Sequence, residues 1–555
     1  MIVKSGTLTW FPAITLLALL AIPSQLAAQE KDDKPKHHHY KLIDMGTFGG
    51  PASSINYPVF GGNLNRQGIT VGWSATATPT LPTSNPLICG GLDGVVPYIT
   101  HAFEWNGGVA NLGALAPDDS NCSEPFAINA KGDIVGASEG DEIDPVFGVK
   151  GAHAVLWKDG KITDLGSLGG NEVAAFGINN RGQIIGNSTN AIPDPYCFFG
   201  TVQNRAFLWE HGLMQDLGTL GGNCAGVGGL NEHGQITGGS TTTTVANPVT
   251  GFPTQEPFLW EKGRGMRDLG TLGGAFGGAG GVNNQGQVIG QSSIAADPGA
   301  CNGFPDNGDN NCHPFLWEDG NLIDLNTTSI GGNPEFVAGL NDAGEIVGWA
   351  AFPNAPMDAF LWRKGVVKDL GRLDGCISGA HAINLRTQIV GFAASCVANE
   401  VHAFLWENGS IVDLNALIPL GSSLQLADAM DINERGEIDG IAVPAGVESG
   451  NLITEGHGFL LIPCDENHLN IDGCDYSLVE VGAPVIAASP MPSANMPTTA
   501  SPSLSPDAIR QLLRSDGPGS TPWTPQSRTP AAKVIPTLVQ KRDDQSSGAR
   551  MRRQP

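Results

Sequence analysis

Between residues 40 and 463 the chain alternates short apolar runs with clusters of Gly, Asn and Asp, and it shows no sustained helical periodicity there. Three phrases recur in fixed order. The first is Asp-Leu-Gly followed by Gly-Gly, as in Asp164 to Gly170, Asp216 to Gly222 and Asp268 to Gly274, with degenerate copies beginning at Asp44, Asn111, Asp324, Asp369 and Asp413. The second is Ile-Asn-x-x-Gly-x-Ile-Val-Gly, whose Asn is Asn65, Asn129, Asn179, Asn231, Asn283, Asn341, Asn384 and Asn433. The third is His-Ala-Phe-Leu-Trp-x-x-Gly, with Trp105, Trp157, Trp209, Trp260, Trp317, Trp362 and Trp406; the last copy, His457 to Leu461, lacks the Trp.

Each phrase is a strand signal, because its β-branched and aromatic run is bounded by turn residues. Asp-Gly and Asn-Gly after the Trp, as at Asp159-Gly160 and Asn408-Gly409, supply the positive φ of tight hairpins. Asn-x-x-Gly suits a type I turn closed by a Gly bulge, with the Asn side chain capping the turn. Thr387 stands where that Gly belongs and predicts a strained or altered turn in the seventh repeat. Four strands per repeat of about 50 residues belong to a propeller rather than a short solenoid.

The chain begins on a lone first-phrase strand, Tyr40 to Met45, and ends on a lone third-phrase strand, His457 to Pro463. Pairing them completes eight four-stranded blades of an all-β propeller and removes both exposed edges. This phase makes the small-residue strand before Ile-Asn innermost and sends the Trp row outward to pack between blades. A shift by two strands keeps eight blades but moves the seam; a solenoid or sandwich array is a further alternative, against which the paired ends argue. Strand alternation then puts the tight turns on one face. The Gly-Gly connections and the long loops, near 78–99, 139–152, 189–204, 241–255, 294–312 and 444–456, fall on the other, where binding is expected.

The cysteines fit this layout. Cys89 and Cys122 have the same placement as Cys197 and Cys224 two blades on. Cys301 and Cys312 bracket one loop, Cys376 and Cys396 share a blade, and Cys464 and Cys474 clamp the segment after the closing strand. Five disulfides with those partners are expected, and an even cysteine count suits an exported chain. The N-terminus agrees: Lys4, the apolar run Phe11 to Ile22 and Leu26-Ala27-Ala28 read as a signal peptide over 1–28, with an uncleaved anchor as the alternative. Residues 29–39, including His37-His38-His39, read as a linker. Residues 464–477 form the clamped segment, and the Pro/Ser/Thr-rich stretch 478–555 is a disordered tail with a basic end. No other segment is long and apolar enough to span a membrane.

The net charge of −25 argues against nucleic acid, whose phosphates need a basic face. No Gly-x-Ser-x-Gly elbow, phosphate loop or His-Glu-x-x-His is present, and no cofactor or metal is expected. The recurring His101, His153, His313, His402 and His457 would lie on a ring rather than converge on an ion, and read as structural, as does the Asp of the first phrase, expected to accept backbone or Trp hydrogen bonds. Asp306 to Asn311 resembles part of a calcium loop but lacks its distant Glu. Weak candidate binding residues are the aromatics of the long loops and nearby strand ends, Trp73, Tyr98, Tyr196, Phe198, Phe199 and Trp349, with Phe252 and Phe352 beside them; the commoner role for such residues is to pack the loops against the scaffold as small cores.

With the three phrases in place, His101-Ala102-Phe103, His402-Ala403-Phe404 and their partners resemble the HAF repeat family of extracellular bacterial proteins, over residues 40 to 463. The resemblance implies export and a bacterial source, and no activity assignable to particular residues. The expected function is a monomeric secreted or periplasmic binding scaffold whose partner is a glycan, a peptide or an envelope component. The competing readings are a polysaccharide lyase or glycosidase using carboxylates such as Asp118, Asp119, Asp194 and Asp374, and a structural surface protein.

Overall fold

The computed structural model describes residues 35–480 apart from 57–61, 90–95, 117–119, 198–199, 297–300, 302–311, 354, 374–376, 395–399 and 448–450. Eight four-stranded antiparallel sheets follow one another as the blades of a β-propeller. Blade 2 shows the plan, from inner to outer strand: Ser123–Ile128, Ile134–Ile143, Lys150–Lys158 and Lys161–Asp164. Blade 8 consists of Leu424–Ile432, Ile438–Pro444, His457–Pro463 and, as its outer strand, Tyr40–Asp44 from the other end of the chain. The sequence phase and the seam are therefore those expected.

The repeated glycine of Ile-Val-Gly has a packing cause. A Cβ on Gly186 would strike the Ala174 carbonyl and the Phe207 ring, and the same inner-strand carbonyl lies over Gly136, Gly238, Gly290 and Gly440 in their own blades. The third-strand Phe (Phe103, Phe207, Phe258, Phe315, Phe360, Phe404, Phe459) is fully buried there. The Trp two residues on packs against the preceding blade: Trp260 of blade 4 lies with Ile185, Leu208 and Leu217 of blade 3, and Trp406 of blade 7 with Val347, Leu361 and Leu370 of blade 6. In blade 8, where Leu461 replaces Trp, Tyr40 from the N-terminal strand enters the same interblade cluster.

The eight Asn residues do two jobs. Each Oδ1 accepts the N–H groups two and four residues on, at 2.8 to 3.1 Å, which is the expected turn cap. Each Nδ2 also donates to the backbone carbonyl of the corresponding Asn in the next blade, at 2.9 to 3.2 Å, and Asn433 closes the circuit on Asn65. The result is a closed belt on the tight-turn face. Thr387 keeps the turn: it takes φ +58° and donates its N–H to the Asn384 carbonyl as the glycines do in the other blades. Its hydroxyl donates to Glu345, which offsets part of the backbone strain.

The recurring His and Asp are each other's partners. His153 Nδ1 lies 2.8 Å from Asp164 Oδ2, His313 Nδ1 2.8 Å from Asp324 Oδ2 and His402 Nδ1 2.7 Å from Asp413 Oδ2; His457 makes the same clip to Asp44 across the seam. At Asp164, Asp324 and Asp413 the other oxygen accepts a backbone N–H two residues on, and at Asp44 one oxygen, Oδ1, takes both contacts. Trp is not the Asp partner, because the third-strand His lies nearer on the adjoining strand. The bond to Asp164, opposed by burial, raises the His153 pKa to about 9, and the same bond holds Asp164 below the usual carboxylate range. Arg205 replaces His with its Nε 3.0 Å from Asp216. Blade 4 instead sets Glu256 against Asp268, and burial together with that second carboxyl pushes Glu256 up to about 7.

Three boundaries differ from expectation. Lys36–His38 is a strand, not linker, and pairs antiparallel with Leu478–Glu480, which was expected to belong to the tail. The second strands of blades 1 to 3 run past a register shift to Pro79, Ile143 and Pro193, so their loops are shorter than the sequence suggested. Asn in place of the first-phrase Gly gives single helical turns, Leu325–Thr328 and Leu414–Ala416, capped by Asp324 and Asp413. Among the described residues no helix is long and apolar enough to cross a membrane.

Candidate functional site

The loops between second and third strands share one face with the interblade connections. Among the described residues there are four disulfides, Cys89–Cys122, Cys197–Cys224, Cys301–Cys312 and Cys464–Cys474. The first two tie a loop tip to the following interblade connection. The expected Cys376–Cys396 pair lies outside the described residues, as do Phe198, Phe199, Asp118, Asp119, Asp374 and most of the loop containing Asp306 to Asn311.

Blades 2, 3 and 4 build these loops on one local device. Asp144 Oδ1 accepts the N–H groups of Val146 and Phe147 at 2.6 and 2.9 Å, Asp194 Oδ1 that of Tyr196 at 2.9 Å, and Asn247 Oδ1 that of Val249 at 2.9 Å. Each is an Asx turn in which Pro145, Pro195 or Pro248 presets the next φ. Each presents the residue after its proline outward: Val146 is 50%, Tyr196 36% and Val249 70% exposed. Ile143, Ile192 and Val245 are exposed beside them, and the Tyr196 and Phe252 rings meet edge to face at 6.4 Å, joining the loops of blades 3 and 4. Three adjacent blades thus display apolar side chains from equivalent positions on turns that are pinned before any ligand arrives.

Beneath this surface the loops are held by buried polar groups. Asn85 donates from Nδ2 to Glu172 at 3.0 Å and to the Lys150 carbonyl at 2.9 Å, and its backbone N–H donates to Glu139. Lys150 Nζ donates to the Ser120 carbonyl and reaches within 3.9 Å of Glu139. Burial lifts Glu172 to about 8, with Asp144 and Glu142 adding to the rise against the Asn85 bond, and burial also raises Glu139. Both carboxyls are buried, so the cluster braces the loops of blades 1 to 3 and offers substrate no open carboxylate. Asp194 is equally committed: it is buried, caps the Tyr196 turn and accepts Asn223 Nδ2 at 2.7 Å.

Of the aromatic candidates, the structure leaves Tyr196 exposed. Trp73 is buried with Ala52, Ala75 and Val96, and Tyr98 packs on that cluster. Trp349 stacks on Phe336 at 4.1 Å. These residues sit on strands, where the neighbouring strand supplies a packing partner. Val146 and Val249 were missed; the signal that could have found them is Asp-Pro or Asn-Pro recurring in three successive long loops. The side chains of Cys89, Cys122 and Glu139 approach one another, as do those of Asp194, Cys197 and Cys224, but the sulfurs are already bonded as disulfides and leave no thiolate for a metal.

No family model matches the chain, and no curated protein matches it. Solved structures with similar folds include the β-propeller domain of the Trilobed protease from Pyrococcus furiosus, at 8% identity and TM-score 0.36, covering 68% of this chain and 98% of that one. A puromycin-hydrolyzing peptidase from Mycobacterium tuberculosis aligns at 10% identity and TM-score 0.37, covering 73% of this chain and 61% of that one. TolB from Acinetobacter baumannii aligns at 13% identity and TM-score 0.27, covering 58% and 66%.

Removing the Cys197–Cys224 bond with a double Ala substitution should cost about 3 kcal/mol, for a closed loop of this length. The loss is expected as a lower urea midpoint together with faster proteolysis in the blade 3 loop. An unchanged midpoint would show that the bond does not brace the loop face.

Proposed function

We propose that this protein is an exported binding scaffold whose contact surface is the loop face of blades 2 to 4. The observation that carries the reading is the row of Val146, Tyr196 and Val249, exposed from equivalent Asx turns on a disulfide-pinned face. Preordered apolar groups spend little entropy on binding, and a flat aromatic beside aliphatic side chains suits the apolar face of a sugar ring or a peptide side chain. The resemblance to HAF repeat proteins and the disulfides support an extracellular or periplasmic location. A glycan of the cell envelope is the favoured partner, since the exposed groups are spread over three blades as an extended chain would require.

The test is retention of the protein on immobilised envelope polysaccharide, compared with a Val146→Ser, Tyr196→Ala, Val249→Ser variant. The variant should lose at least about tenfold in affinity, as expected when a cluster of binding anchors is removed. Its thermal midpoint should stay within about 2 °C, since all three residues are exposed. Equal retention of the two proteins would sink the reading, and release of reducing ends by the wild type would favour the hydrolase instead.

A further inference from the structure

We propose a second binding site, on the tight-turn face at the seam of blades 7 and 8, that takes a small carboxylate. In the other blades a hairpin joins the third strand to the outer one. Blade 8 has none, because its outer strand comes from the N-terminus. There the chain enters through Lys36–His38, leaves through the Cys464–Cys474 clamp and returns as Leu478–Glu480 to pair with Lys36–His38, beside a recess of about 240 Å³. Its lining includes His38, Tyr40, Arg386, Glu407, Arg435 and Asp465.

The hydrogen bonds show which of these groups are unspent. Glu407 accepts His37 Nδ1 at 2.9 Å and Gln388 Nε2 at 2.7 Å. Asp465 accepts His468 Nδ1 at 2.7 Å and the Asn467 N–H at 2.9 Å. Arg435 lies 3.3 Å from Glu437. Among the described residues, the Arg386 guanidinium has no ion pair or hydrogen bond, and the Tyr40 hydroxyl has no partner although the residue is 4% exposed. His38 Nδ1 is buried without a partner. Glu407 and Asp465 are already satisfied and Glu466 is exposed to solvent, so what remains to meet a ligand is a guanidinium, a phenol and an imidazole.

Such a set recognises an anion, and the charge balance selects which. One uncommitted guanidinium matches one negative charge in the fork geometry that suits a carboxylate. Glu407, Asp465 and the exposed Glu466 disfavour a phosphate dianion. The volume admits a single sugar ring or amino-acid residue, so the carboxylate belongs to a uronic acid or to a peptide C-terminus.

The test is calorimetric titration of the full chain with galacturonate, with trialanine, with galactose and with inorganic phosphate. At least one carboxylate probe should bind saturably; the preferred one identifies the source, and galactose should not bind. Arg386→Gln should weaken that probe at least about tenfold, and Tyr40→Phe about threefold, as expected for a charged and a neutral hydrogen bond. Arg386 is exposed, so an unchanged thermal midpoint in Arg386→Gln will show that the fold is intact. Absence of binding by both carboxylates, tighter binding of phosphate, or equal affinity in Arg386→Gln would each overturn the site. The loop-face variant of Val146, Tyr196 and Val249 should bind the probe unchanged, which separates this site from the glycan-binding reading.

Discussion

Asn433→Asp should be among the most damaging conservative substitutions in the protein, costing on the order of 3–5 kcal/mol at neutral pH, the range for a buried charge deprived of its partner. The change keeps the shape and the two turn caps that Oδ1 accepts. It removes the donor that closes the belt on the Asn65 carbonyl at 2.9 Å and meets Glu437 at 2.6 Å. A carboxylate there would face a carbonyl and another carboxylate, relieved in part by Arg435 and by His468, whose Nε2 is 3.3 Å from Glu437. The same change at Asn179 should cost only about 1–2 kcal/mol, because its partner is Gln183, whose amide can turn to donate. The two also differ in pH dependence. The new carboxyl at 433 is protonated more readily folded than unfolded, so its penalty vanishes below about pH 4, the unfolded value, and grows as pH rises. Urea midpoints of both variants at pH 4 and pH 7 test this. Equal losses at the two positions, or a loss at 433 that ignores pH, would show that the belt donors do not hold the ring closed.

Asp439→Asn should stabilise the protein at pH 7 and above by on the order of 1–3 kcal/mol, the cost of a buried polar group left without a partner, as Asp439 Oδ1 is. Asp439 stands in blade 8 where other blades carry Val71, Val135, Ile185, Thr237, Ile289, Val347 and Val390. It is fully buried, contacts the Thr70 hydroxyl of blade 1, and is the cross-strand neighbour of Asp431. Burial raises both, Asp431 to about 6, and the charge on Asp431 raises Asp439 further. Backbone N–H groups of Ile432, Leu64 and Asn63 act on Asp431 in the opposite direction. An acid whose folded pKa is raised holds its proton better in the folded state, so this pair favours folding below about pH 4. That contribution is lost as pH climbs through 6 and beyond. Asparagine keeps an acceptor for Thr70 and offers its amide to Asp431, so the variant should lose much of this slope. Parallel stability curves for the two proteins between pH 4 and 8 would refute the account.

The fold was legible because repeated local chemistry is reinforced eight times over. Asn-x-x-Gly and Asp-Gly dictate turns wherever they stand, and the two unmatched end strands could complete only one blade. Cys89, Cys122, Cys197 and Cys224 could be paired from their recurrence at equivalent loop positions. For the aromatics the sequence offered packing as the commoner role without saying which residues would pack and which would stay exposed. Trp73 and Trp349 sit near loops in sequence, but a strand neighbour covers each, and burial is a property of what lies alongside.

The sequence by itself determined the all-β class, the number of blades, the seam between Tyr40–Asp44 and His457–Pro463 and the sorting of loops onto two faces. Those follow from alternation and turn geometry, which act over a few residues. Tertiary structure alone decided that the eight Asn amides join into one closed belt, that His153 and Asp164 are partners, that Val146, Tyr196 and Val249 share an exposed row, and that Arg386, Tyr40 and His38 meet in a recess beside the seam. Each of these depends on groups brought together by sheet pairing, blade packing or ring closure, up to 368 positions apart for Asn433 and Asn65, and no local preference specifies such a meeting.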